Sequence, residues 1–177
     1  HPWYIDPANW STEFNKLSNL VNHPALLAIG ECGLDRVCNS PFDLQLTVFK
    51  VQVQLANRIA KPLLLHCVRA HEDILQILQR QRNRVPAIFH GYNNGKAPAE
   101  KIISAGHYLS FGDALNRPIV QEVFRSLPLD QLFLETDGRN LRIKELYELA
   151  AAVRSMEVNE LILQLHYNLK KVFNLVL

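Results

Sequence analysis

Cysteine is scarce in this chain, with only Cys32, Cys38 and Cys67 among 177 residues. An odd number without C-x-x-C spacing excludes a small disulfide scaffold, and a reducing, cytosolic setting is expected. Long hydrophobic runs are also missing. No apolar stretch approaches the roughly 20 residues of a membrane span. The opening His1-Pro2-Trp3-Tyr4-Ile5-Asp6-Pro7 has neither the basic nor the apolar region of a secretion signal. Nor is there an excess of charge of one sign: 19 basic residues against 17 acidic give a formal +2. That is too little for a protein that coats nucleic acid, so any such contact is expected to be local, at a cleft. Neither a G-x-S-x-G elbow nor a P-loop occurs, which removes two common hydrolytic chemistries.

What is present is a regular alternation of short apolar runs and amphipathic stretches. At 48% hydrophobic content the chain suits one domain over 1–177 with a substantial core. Asp6-Pro7 and the helical spacing of Phe14, Leu17, Leu20 and Val21 predict a helix over 8–22. Leu26-Leu27-Ala28-Ile29-Gly30-Glu31 reads as a strand buried on both faces. Ser40-Pro41-x-Asp43 resembles a helix start, followed by Leu44, Val48, Val51, Leu55 and Ile59 at three- or four-residue steps. Strands are then expected to end at His66, His90, Phe111 and Glu135, with helices between them and two closing helices over 141–155 and 158–174. Short strands alternating with helices imply right-handed crossovers and a parallel sheet. The expected class is α/β, and a TIM-like (β/α) barrel is the closed form that such a parallel sheet can take. Its five strand units and 177 residues fall short of the roughly 250 residues of a complete barrel, so it is expected to be incomplete at the N-terminus. His1-Pro2, read as a strand end, points the same way.

The ionisable residues fall where chemistry would need them. Glu31, His66 and His90 each close an apolar run, and Asp137 follows Glu135 by two. In a parallel barrel these C-terminal strand ends converge on one face. Two carboxylates and two imidazoles form a mixed oxygen and nitrogen donor set suited to Zn²⁺, Mn²⁺ or a similar divalent ion. A lone histidine or carboxylate at a strand end is more often structural; four in register favour a metal site.

The local sequences resemble those of TatD-related deoxyribonucleases. Gly30-Glu31-Cys32-Gly33-Leu34-Asp35, Gln45 through Leu55-Ala56, and Lys61-Pro62-Leu63-Leu64-Leu65-His66 are similar to successive motifs of that family. Phe89-His90-Gly91-Tyr92, Ser110-Phe111-Gly112, Leu134-Glu135-Thr136-Asp137 and Asn168-Leu169-Lys170-Lys171-Val172-Phe173 follow in order. The resemblance covers essentially the whole chain and implies a metal-dependent hydrolase of phosphodiesters, typically DNA, using one or two divalent ions. It implies that Glu31 bridges two metals, that His66 and His90 hold one, and that Asp137 holds the other while orienting or deprotonating water. Two alternatives are a barrel hydrolase acting on a small molecule and an interaction domain with one impaired metal site.

Three departures stand out. The family's His-x-His pair does not occur in the chain. Val68 stands where the family has arginine, with Arg69 one place later. Gly138-Arg139-Asn140 replaces a proline-containing loop. His1 and Arg69 are therefore only candidate substrate-binding residues. Cys32 and Cys67 are expected to be buried structural thiols, and Glu135 a supporting carboxylate. His71 is expected to be a polar residue at a helix start. Trp3, Tyr4 and Trp10 are expected to be core or helix-docking aromatics, with base stacking as the other reading.

Overall fold

The computed structural model describes residues 1–138 and 141–175. The chain folds as two compact units, His1–Ala87 and Ile88–Leu177, and each is described by itself.

The first unit is built on a parallel strand pair. After a 3-10 turn (Pro2–Tyr4) come α1 (Trp10–Asn19), β1 (Ile29–Asp35), α2 (Phe42–Ile59), β2 (Leu63–Val68) and α3 (His71–Arg80). The β1–β2 register pairs Cys32 with Leu65, Gly33 with His66 and Asp35 with Val68, with an irregularity between Ile29 and Cys32. Both strands run past their expected ends. β1 continues four residues beyond Glu31 and β2 two beyond His66, because the parallel ladder continues through residues that carry polar groups. The long predicted helix is α2, and Val48, Phe49, Val53, Leu55 and Ala56 are its buried apolar residues. Ser40 does not cap it. Its hydroxyl donates to the Ile5 carbonyl, and Pro41 stands at the cap with no side-chain hydrogen bond. α1 is shorter than predicted and buries no residue, Leu20 being exposed.

In the second unit β3 (Ala87–Phe89), whose first residue closes the preceding unit, pairs in parallel with β4 (Tyr108–Phe111), and β4 with β5 (Leu132–Leu134). The helices are α4 (Lys96–Ser104), α5 (Pro118–Ser126), α6 (Ile143–Arg154) and α7 (Val158–Phe173). The α/β alternation is therefore the one expected. α5 buries Val120, Val123 and Phe124, and the Phe124 ring meets Phe111 of β4 edge-on at 5.2 Å. Removing so large a buried ring costs about 3–5 kcal/mol.

Two of the sequence motifs have structural explanations. Asn168 of α7 is fully buried. Its amide donates to the carbonyls of Leu129 and Leu132 at 2.8 and 2.9 Å, tying the last helix to the start of β5. Gln45 is equally buried. It accepts from the Asp35 N–H and donates to the Asp35 and Ser40 carbonyls, closing the loop after β1. Both side chains satisfy backbone groups that would otherwise be stranded away from water.

Candidate metal centre

Glycine sets the geometry around Glu31. A Cβ at Gly30 would lie 2.6 Å from the Leu64 Cβ, and one at Gly33 (φ 129°) would collide with the His66 carbonyl oxygen. Only hydrogen at these two places lets β1 approach β2 closely enough to bring Glu31 beside His66. The structure gathers His1, Glu31 and His66, with one ligand atom from each lying within 4.8 Å of the others. The Glu31 carboxylate and the His66 imidazole are ligand types that fit a borderline divalent ion, with the His1 ring beside them.

The two histidines are not equivalent. His1 Nδ1 accepts the Trp3 N–H at 3.1 Å, so neutral His1 carries its proton on Nε2, which lies 3.5 Å from Glu31 Oε2. His1 is thus arranged as a donor toward the site. His66, whose ring lies edge-on to His1 at 4.4 Å, has its Nε2 2.9 Å from Asp35 Oδ2. Asp35 is buried and also accepts the Trp3 indole N–H at 2.6 Å and the N–H groups of Val37 and Cys38. Burial acts to raise its pKa. The hydrogen bonds from Trp3, His66 and Val37 outweigh that and hold the carboxyl below its ordinary value.

The second unit repeats the pairing. His90, directly after β3, has Nδ1 3.3 Å from Glu135 Oε1, and the same oxygen accepts the Gly91 N–H at 2.7 Å. Burial would raise the Glu135 pKa, but bonds from His90 and Ser110 and the His90 charge bring it below the usual value. Asp137 is exposed, with φ 48°. It lines a cavity of about 230 Å³ with Glu135, Asp113, Asn93 and Arg117.

The expected ligands therefore divide by unit. Glu31 and His66 come together with His1 in the first, while His90 and Asp137 belong to the second, where Glu135 supports His90. Arg69 is exposed in the turn after β2, with φ 52°. His71 opens α3, and burial lowers its pKa.

Cys32 is buried, and desolvation pushes it up to about 12; Cys67 is raised as far but is only half-buried, because β2 continues past His66 toward the surface. Trp3 and Tyr4 are 57% and 77% exposed instead of packed in the core, Trp3 being held at the surface by its indole N–H on Asp35 and by ring contacts with His1 and His66. Two functional candidates carry little or no signal in the sequence. Asp35 is visible there only as the last letter of a motif. Arg117, a cation lining the second unit's cavity, has no sequence signal.

The chain is similar to known proteins in both sequence and fold. A family model described as TatD related DNase matches residues 1–174. A protein of Buchnera aphidicola named as an uncharacterized metal-dependent hydrolase is 31% identical over 143 residues, covering 78% of this chain and 53% of that protein. The 3'-5' ssDNA/RNA exonuclease TatD of Erwinia billingiae is 30% identical over 202 aligned residues, covering 99% of this chain and 76% of that protein. The chain thus spans about half the length of one relative and about three quarters of the other. The crystal structure of a TatD homologue from Escherichia coli K12 superposes with a TM-score of 0.84 at 25% identity, over 94% of this chain and 71% of that one.

Proposed function

Because this chain belongs to the TatD-related DNase family, we propose that it is a metal-dependent hydrolase that cleaves phosphodiester bonds in single-stranded nucleic acid. The observation that carries this reading is the His1, Glu31 and His66 cluster, with His66 anchored on a buried carboxylate. The exonuclease name of the Erwinia relative favours a nucleic-acid substrate.

The proposed metal ligands are Glu31 and His66 in the first unit and His90 and Asp137 in the second, with divalent ions of the Zn²⁺, Mn²⁺ or Mg²⁺ kind, one or two in number, as their partners. When bound, such ions lower the pKa of water and offset charge on phosphoryl oxygens. The side chains do the rest. Asp137, exposed at its cavity, takes the proton of the attacking water. His1, with its proton on Nε2, donates to a phosphoryl oxygen. Arg117 answers the substrate's charge in a cavity whose other charged lining residues are Asp113, Glu135 and Asp137, and Arg69 stands as a further substrate contact. The three free thiols suit a cytoplasmic setting, and no helix among the described residues is long and apolar enough to cross a membrane.

The test is hydrolysis of a chromogenic phosphodiester by Asp137→Asn with divalent metal in excess. Turnover at least ~10²-fold below the parent chain, the lower range for loss of a general base, is expected. Near-parental turnover in a folded variant removes Asp137 from the reaction.

A further inference from the structure

A histidine can ligate a metal through only one nitrogen, and the partner of the other nitrogen decides which one it is. Asp35 Oδ2 receives His66 Nε2 at 2.9 Å and the Trp3 indole N–H at 2.6 Å, while Oδ1 receives the N–H groups of Val37 and Cys38 at 2.8 and 3.1 Å. Three of these four partners are N–H groups that can only donate, and a carboxylate that accepts them is an acceptor at the fourth contact also. His66 Nε2 therefore carries the proton, and in the neutral ring the lone pair resides on Nδ1.

The carboxylate is itself fixed. Its backbone N–H and C=O are both held by the buried Gln45, at 2.8 and 3.0 Å, and the residue is 3% exposed. Trp3 closes the outer side of Oδ2, and its ring lies 5.5 Å from that of His66. Neither Asp35 nor Trp3 is among the residues of the candidate ligand cluster.

We propose that Asp35, supported by Trp3 and Gln45, is a positioning residue that fixes His66 in its Nε2–H tautomer and so reserves the Nδ1 lone pair for a divalent ion. The inference rests on the reading of His66 as a metal ligand. It predicts an unusual effect for a near-isosteric change. Asp35→Asn keeps an oxygen for the Val37 and Cys38 N–H groups, so the loop cap survives, but it turns an amide NH₂ toward His66. That amide faces two donors: the Trp3 indole, which cannot give up its proton and loses its acceptor, and His66, which relieves its own conflict by moving its proton to Nδ1, the ligating position.

The experiment is calorimetric titration of the full chain with Mn²⁺ or Zn²⁺, together with ¹⁵N spectra of the histidine rings, His66 being assigned by its loss in His66→Ala. The expected results are an Nε2–H tautomer for His66 in the parent chain, weak binding by His66→Ala, and a 10–100-fold loss of affinity in Asp35→Asn, the range for outer partners of ligating histidines. Trp3→Phe, which keeps a ring but removes the donor, is expected to show a smaller loss. Asp35→Glu is expected to recover part of the affinity. Parental affinity in Asp35→Asn alongside lost affinity in His66→Ala overturns this inference alone. Parental affinity in His66→Ala overturns it together with the metal-ligand reading. Should Asp35→Asn fail to fold, the parent spectrum decides, and an Nδ1–H tautomer there overturns the proposal.

Discussion

A Cβ placed on Gly33 would collide with the carbonyl oxygen of His66, the residue paired with it across the β1–β2 ladder. No flexible side-chain end is available to yield, because the obstacle is backbone, and φ 129° disfavours any L side chain. Gly33→Ala is expected to cost at least about 2 kcal/mol in urea unfolding, from overpacking and backbone strain together. Metal affinity should fall with it. A loss under about 0.5 kcal/mol, the scale of an ordinary surface change, would show that the close approach is not required.

Arg117 is held by its Nη1 bond to the Asn93 carbonyl at 3.2 Å, at the cavity that Asp137 also lines. A hydrogen bond to a charged partner contributes about 1.5–3 kcal/mol, which corresponds to roughly tenfold or more in an equilibrium constant. Arg117→Ala is expected to raise KM for a phosphodiester by about tenfold with a smaller change in kcat, and Arg117→Lys to recover part of it. An unchanged KM would remove Arg117 from substrate binding.

His107, just before β4, has a buried Nδ1 without a hydrogen-bond partner, and desolvation pushes the ring pKa down to about 4 from its ordinary 6.5. The unfolded chain therefore takes up this proton first. The stability that follows from keeping His107 neutral is complete above pH 6.5 and is lost as pH falls toward 4. At 1.36 kcal/mol per pH unit the full effect is at most about 3 kcal/mol. His107→Leu removes the titration, so its stability profile between pH 7 and pH 4 should be flatter than the parent's. Asp35 and Glu135, both held below their ordinary values, also lose stability on acidification, but equally in the two proteins. Parallel profiles would contradict the assignment.

Much of this architecture is legible in the sequence because apolar period and strand-end chemistry are local signals. α2 and α7 lie within a residue or two of where their periodicity puts them. Composition alone ends two strands too early, at Glu31 and His66, because pairing decides where a ladder stops, and Gly33, Leu34 and Asp35 continue it. The closeness of Glu31 and His66 can be read from the ordering of polar groups. The roles of Asp35 and Trp3 cannot, since a hydrogen bond spanning 32 positions leaves no periodic trace. Arg117 is hidden for a similar reason: only the turn at Asp113–Asn116 and the start of α5 bring it to the cavity of Asp137.

The central claim is tested most directly by cleavage of an end-labelled single-stranded oligonucleotide by the full chain, after chelation and again after adding back Mn²⁺ or Zn²⁺. The account predicts that chelation abolishes cleavage, that metal restores it in the parent chain, and that Glu31→Gln and His66→Ala remain at least ~10²-fold less active with metal in excess. Cleavage that survives chelation, or full recovery by both folded variants, would contradict it.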